Sequence, residues 1–248
     1  MVRIEKAVIE TPIALIVGAG DHLGSAIARR FAAEGYHIVA TRRRGDLDAL
    51  VRDVQALGSD ATALFSDARE EDQVIELIDK VESELGAISV AVFNVGGNVR
   101  FSVTETSTRV YRKVWEMCAL AGFLVGREVA KKMLLRKQGS IIFTGASASL
   151  RGNSGFSAFS GGKHALRALA QSMSRELGPQ GIHVAHVIVD GLIENEATKE
   201  FLPDLFVSKG EDGIIQPDDL AEVYWQLHNQ PKSAWTFEQD VRPYAEQW

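Results

Sequence analysis

The side chains with most chemical potential cluster in GFSAFSGGKHALRALAQSMSRELG, residues 155–178. The helical period of this stretch sets Phe159 and Lys163 four residues apart, one above the other on a single helix face. An ammonium there carries exchangeable protons and donates hydrogen bonds. A phenyl ring has no exchangeable proton, so Phe159 has no part in acid–base chemistry. Ser147, Ser149 and Ser160 are hydroxyls close in sequence. Each is either a substitute donor or a turn or helix-capping hydroxyl. Lys163 is either a site residue or a solvated helix lysine.

A second constellation lies near the amino end. In ALIVGAGDHLGSAIARRFA an apolar strand runs into a glycine turn and then a helix. Glycines permit a tight turn and close backbone approach, while the helix start offers unpaired N–H groups and a positive dipole end. That is the context of a phosphate-binding loop; the alternative is a structural turn with no ligand. The basic run Arg42-Arg43-Arg44 follows the next strand. It is either a solvated turn or a guanidinium fork for a phosphate.

Both constellations need a scaffold, and the alternation of the sequence supplies one. Apolar, β-branched runs occur at IALIV, YHIVAT, ATALFS, ISVAVFN, GSIIFTG and IHVAHVIV, with helical-period segments between them. Near-continuous apolar strands are covered on both faces, so the pattern predicts a parallel, doubly wound sheet in a three-layer α/β/α arrangement. Gly35, Gly58, Gly86 and Gly178-Pro179 stand where helices should stop. Two long helical segments, about 105–136 and 156–177, are rich in Ala, Gly and Leu. They pack either on the sheet or against another subunit.

Composition narrows the function classes. The 248 residues are 46% hydrophobic and 24% charged, as in a soluble globular protein, and no repeat or linker divides them. One domain spanning 1–248 is expected. The net charge of −6 gives no attraction to nucleic acid. No stretch approaches the roughly 20 apolar residues that cross a bilayer, and Met1 to Thr11 does not read as a signal peptide. Cys118, the only cysteine, leaves no intrachain disulfide and points to a reducing cytoplasm. No metal site is expected.

From about residue 12 to 240 the chain resembles the single-domain short-chain dehydrogenases/reductases, which are Rossmann-type. Gly18 and Gly24 match the first and last glycines of their Thr-Gly-x-x-x-Gly-x-Gly motif. Val17 replaces the threonine and His22 the middle glycine, whose absence narrows the backbone approach; His22 either contacts the pyrophosphate or caps the helix. SDA resembles the loop after the third strand, FNVGG the Asn-Asn-Ala-Gly motif, and VDGLIE the Pro-Gly loop after the sixth strand, with Asp190 for the proline. The resemblance implies dinucleotide contacts at Gly18, Asp21, His22, Leu23, Gly24, Thr41, Arg42, Arg43, Asp67, Ala68, Asn94, Gly96, Lys163, Gly191 and Ile193. NAD-preferring relatives place an acid where Thr41 stands, so Arg42 and Arg43 imply NADP, with NAD as the alternative.

The same resemblance exposes a departure. Ketone-reducing relatives use a tyrosine as acid, a lysine that lowers its pKa and binds the nicotinamide ribose, a serine on the carbonyl oxygen, and an upstream asparagine. Here those places fall on Phe159, Lys163, Ala146 and, less securely in register, Cys118. Segments FTGASASLRG and SAWTFEQDVRP are similar to a subgroup with the same Phe-for-Tyr exchange. The implied function is an NAD(P)-binding oxidoreductase with an atypical active site; the alternative is a non-catalytic NADP-binding sensor or regulatory subunit. The resemblance also implies a small-molecule ligand, a homodimer or homotetramer, and a flap over the pocket at 192–216. The end segment with Trp235, Tyr244 and Trp248 is a candidate subunit contact.

Overall fold

A computed structural model describes residues 11–201, 203–210 and 212–246. Seven strands run parallel in one sheet, in the order β3-β2-β1-β4-β5-β6-β7. They are β1 (Ile13–Val17), β2 (His37–Arg42), β3 (Ala61–Phe65), β4 (Ile88–Phe93), β5 (Gly139–Thr144), β6 (Ile182–Val189) and β7 (Glu238–Val241). The six apolar runs of the sequence are the first six strands. β1 and β6 are buried at every residue because helices cover both faces, which is why their sequences do not alternate.

The helices are α1 (Leu23–Ala32), α2 (Asp48–Ala56), α3 (Glu71–Lys80), α4 (Thr108–Trp115), α5 (Ala121–Arg136), α6 (Ser157–Leu177), α7 (Glu196–Phe201), α8 (Pro203–Lys209) and α9 (Pro217–His228). Side chains of successive strand residues feed two cores. Ile13, Leu15 and Val17 meet Leu77 of α3, Val125 of α5 and Leu166 of α6. Ala14 and Ile16 meet Ile27 and Phe31 of α1 and Tyr224 of α9 on the opposite face. The sheet is therefore the middle of three layers. β1 has β2 on one side and β4 on the other, so the chain winds outward in both directions and leaves a crevice at their carboxyl ends.

Three local features depart from the sequence reading. The helix expected from about 105 begins at Thr108, because Ser107 caps it by accepting from the Val110 N–H at 3.3 Å. A π-helical turn, Glu116–Leu120, separates α4 from α5. The seventh strand was not expected: Glu-Gln-Asp-Val is polar, and an edge strand has only one neighbour to pack against. The carboxyl-terminal segment thus closes the sheet of its own chain. Trp235 stacks on His183 at 4.8 Å, while Tyr244 is 83% exposed and Trp248 lies outside the described residues. Among the described residues no helix is long and apolar enough to cross a membrane, and no cluster of three or more His, Cys, Asp or Glu is placed to hold a metal.

Candidate active site

The crevice begins at the loop after β1. The N–H groups of Gly18 and Ala19 both donate to the Thr41 carbonyl at 2.9 Å, tying the loop to the end of β2. Gly18 has φ +89°, and a Cβ there would lie 2.7 Å from the Asn94 carbonyl oxygen. A Cβ on Gly24 would meet the Gly18 carbonyl at 2.5 Å. Asn94 closes the arrangement by donating from Nδ2 to that same carbonyl at 3.2 Å. Gly20 is different: nothing lies within 4 Å of its Cβ position, so its open side faces the crevice. His22 precedes α1 with φ −116° and ψ −109°, outside the helical and extended regions. Its ring makes no capping hydrogen bond.

Beyond the loop the crevice divides into two adjoining clefts. The first, about 260 Å³, lies between the ends of β2 and β3 and is walled by Thr41, Arg42, Arg43, Ser66, Asp67 and Ala68. Thr41 Oγ1 and Ser66 Oγ are buried here with no hydrogen-bond partner among the described residues. Buried orphan hydroxyls cost about 1–3 kcal/mol each unless a ligand or water meets them. Arg43 reaches Asp67 only at 3.8 Å, and its side chain is 41% exposed. Arg42 donates to Asp21 Oδ1 at 2.9 Å and to the Asp46 carbonyl at 3.1 Å. Asp21 therefore buttresses Arg42 rather than lining the cleft. Asp67 is held by Arg69 Nε at 2.9 Å, and that guanidinium keeps its carboxyl below the usual carboxylate range. Arg69, a wall residue, was not singled out from the sequence, where an Asp-x-Arg spacing was the available signal.

The second cleft, about 490 Å³, opens at the ends of β1, β4 and β5 and contains Gly18, His22, Leu23, Gly24, Asn94 and Gly96 from one side, and Phe159 and Lys163 from α6. Lys163 is 4% exposed, and its Nζ donates to the Thr144 carbonyl at 2.7 Å and the Val95 carbonyl at 3.4 Å. Burial lowers its pKa, because desolvation disfavours the charged form. No Asp or Glu is among the residues lining this cleft. The Phe159 ring stands 5.8 Å from Nζ, measured to its centroid. It packs against the small buried cluster of Val114, Cys118 and Ala158.

The loop after β5 decides which hydroxyl faces the cleft. Ala146 lines it, but its N–H turns inward to Ser149 Oγ at 3.2 Å, and Ser149 is wholly buried beside His186. Ser160 is buried as well, with Oγ directed at the Arg151 carbonyl. Ser147 alone of the three serines lines the cleft. Asn98, not singled out from the sequence, lines it too. Cys118 sits in the π-helical turn, packed beneath Gly162 where a Cβ would lie 2.9 Å from its own, and does not reach the cleft wall. The chain has four tyrosines, Tyr36, Tyr111, Tyr224 and Tyr244, and none lines either cleft.

The far wall comes from the chain after β6. Gly191 and Ile193 both line the second cleft. A side chain on Gly191 would strike Pro243 Cδ at 2.7 Å, so glycine is needed there for close approach of the carboxyl-terminal segment. Ile193 bridges to Ile215, pinning together the two ends of the 192–216 excursion. Asp190, just before, is 3% exposed and ion-paired with Arg151 at 2.8 Å and Arg242 at 3.4 Å.

These features suit an extended dinucleotide. The orphan hydroxyls and arginines would hold the adenosine end, and the open face of Gly20, in the loop before α1, would take the pyrophosphate. The spare N–H of Lys163 would take the nicotinamide ribose. A model of the short chain dehydrogenase family matches residues 12–205. A solved short-chain dehydrogenase from Rhodopseudomonas palustris is 47% identical, with a TM-score of 0.81 over 95% of this chain and 99% of that one. A short-chain dehydrogenase/reductase of Armillaria gallica is 30% identical over 176 residues, 69% of this chain and 67% of the relative. A metagenomic short-chain oxidoreductase solved with NADP shares the fold, at 24% identity and a TM-score of 0.81 over 95% of this chain and 98% of that one. With its matched region covering well over half its length, the chain belongs to the short-chain dehydrogenase family of NAD(P)-binding oxidoreductases.

Proposed function

We propose that this protein transfers hydride between a nicotinamide dinucleotide, NADP in preference to NAD, and a small molecule, without the side-chain acid on which its relatives rely. The observation that carries the reading is the buried Lys163 ammonium beside Phe159 at the floor of a cleft with no tyrosine. In this reading Phe159 stands at the family's tyrosine position, Ala146 at the serine position and Cys118 at the asparagine position. A bound dinucleotide supplies or accepts the hydride. Lys163, already oriented by two carbonyls, holds the ribose. Arg43, with no partner closer than 3.8 Å among its ion pairs, meets a 2′-phosphate together with the free edge of Arg42.

Without a phenol, general acid catalysis worth roughly 10²–10⁴-fold is missing, and the alanine forgoes a donor worth a further ~10²–10³-fold. Ordinary ketone reduction is therefore slow. The single domain of 1–248 pairs with a second copy through α5 and α6, where Phe123, Leu134, Leu169 and Met173 border an apolar groove. The 192–216 excursion, carrying α7 and α8, serves as the flap over the substrate.

A second reading, a dinucleotide-binding protein with no turnover, is favoured by one observation: the Ala146 N–H faces away from the cleft. Titration with NADPH and NADH, followed by single-turnover oxidation against carbonyls, alkenes and imines, separates the two. Binding without oxidation supports the second reading, and NADH binding as tightly as NADPH removes the NADP preference. The double variant Phe159→Tyr with Ala146→Ser then tests the position assignments. Ketone reduction rising by about 10²-fold or more supports them; continued inactivity with NADPH bound refutes them.

A further inference from the structure

Three polar side chains lining the second cleft have no hydrogen-bond partner among the described residues: His22, exposed in the first loop, Ser147, half-buried, and Asn98 at the mouth. Around them the wall is apolar, formed by Leu23, Val95, Phe159, Val189 and Ile193. Its buried lysine, Lys163, has no carboxylate beside it in the lining. The cleft therefore offers hydrogen-bond donors to a flat, apolar molecule, and has no phenol or carboxyl group to protonate it.

We infer that the substrate is an alkene conjugated to a carbonyl group, and that Ser147 and Asn98 donate to the carbonyl oxygen as it becomes an enolate. The inference rests on the hydride-transfer reading above. A simple ketone needs a proton on oxygen as hydride arrives, because the alkoxide is strongly basic, and no phenol is present to give one. An iminium ion needs no proton, but its positive charge finds no carboxylate in the lining to pair with. A conjugated alkene separates the two events. Hydride forms a bond to the β-carbon, the alkene π pair moves towards the carbonyl, and negative charge collects on oxygen between the two donors. Water then gives a proton to the α-carbon and leaves as hydroxide. Alkene, reduced dinucleotide and water become saturated carbonyl compound, oxidised dinucleotide and hydroxide.

The test begins without dinucleotide. A nitrophenol, whose anion is coloured, mimics the enolate. Bound to the protein it should ionise about tenfold more readily than free, and the double variant Ser147→Ala with Asn98→Ala should abolish that shift, while Ser147→Thr keeps it. NADPH binding is then measured by its own fluorescence, and cyclohexenone, cyclohexanone and a cyclic iminium ion are compared in single turnovers. Oxidation by the enone alone, about 10²-fold slower in the double variant with NADPH affinity unchanged, supports the inference. With NADPH bound, an unshifted nitrophenol overturns it, as does an iminium or ketone reacting faster than the enone. If NADPH does not bind at all, the hydride-transfer reading fails instead, and the nitrophenol shift alone decides whether the cleft is built for an anion.

Discussion

Lys163 Nζ lies 2.7 Å from the carbonyl oxygen of Thr144, the last residue of β5. The Thr144 hydroxyl is in turn 2.8 Å from the phenol oxygen of the buried Tyr224, so the acceptor is fixed from the opposite face of the sheet. An ammonium held by neutral carbonyls keeps a spare donor for a ligand. Lys163→Met should leave two buried acceptors unmet and cost about 1–3 kcal/mol of stability. It should also weaken NADPH by roughly 10–100-fold, the equivalent of a charge-assisted hydrogen bond. Denaturant melts and a fluorescence titration measure both. A stability loss with unaltered affinity would make the lysine only a strut between the β4 and β5 loops.

The glycines of the first loop separate folding from binding. Gly18→Ala sets a Cβ against the Asn94 carbonyl and forces φ +89° on an L-residue, so the fold itself should lose about 1–3 kcal/mol. Gly20→Ala meets no protein atom within 4 Å and should leave the thermal midpoint nearly unchanged. If Gly20 faces the pyrophosphate, that same methyl weakens dinucleotide binding by about tenfold or more. Unchanged affinity in Gly20→Ala would remove the loop from the ligand.

The sequence announces the first six strands because their apolar runs continue through both faces, whereas β7 depends on a single neighbour and carries a polar tetrapeptide. The glycine loop was legible for a similar reason: its backbone conformation restricts residue type at Gly18 and Gly24. Which serine faces the cleft was not legible. Ser147–Ser149 form a 3₁₀ turn, and at three residues per turn a shift of one position rotates a side chain by about 120°. Ser147 is thereby presented and Ser149 buried. The pairing of Asp21 with Arg42 was not legible, because the two lie 21 residues apart in sequence and are brought together by the parallel pairing of β1 with β2. Asn98 lies in an irregular stretch with no period from which its direction follows.

Asp190 anchors the wall beyond β6. Its buried carboxylate takes Arg151 Nη2 on both oxygens at 2.8 and 3.0 Å, with Arg242 at 3.4 Å. Asp190→Ala removes the shared partner of two guanidiniums, of which Arg242 also pairs with Asp240, and should cost about 2–3 kcal/mol. Arg151→Ala should cost under about 1 kcal/mol, because its side chain is more than a third exposed. Chemical denaturation of both variants gives the comparison, and equal losses would show that the carboxylate is not the centre of the cluster.

His186 makes folding sensitive to pH. It is fully buried, with Nδ1 3.0 Å from Glu238 of β7 and Nε2 3.5 Å from Ser149. Burial pushes its pKa down to about 4 despite the attraction of Glu238, and the positive charges of Lys163 and Arg167 on α6 act in the same direction as burial. The unfolded chain releases this proton near pH 6.5. Stability from the neutral ring is thus fully present above about pH 6.5, falls steadily as the unfolded state takes up a proton, and levels off below the folded value. The integrated loss is on the order of 3 kcal/mol. His228, also pushed down to about 4 by burial, adds a similar slope. Urea unfolding between about pH 7 and pH 4 should therefore show a steep decline that is shallower in His186→Asn. Nuclear magnetic resonance of the His186 ring supplies the independent check, since a ring titrating near pH 6.5 in the folded protein would contradict the account whatever the variant does.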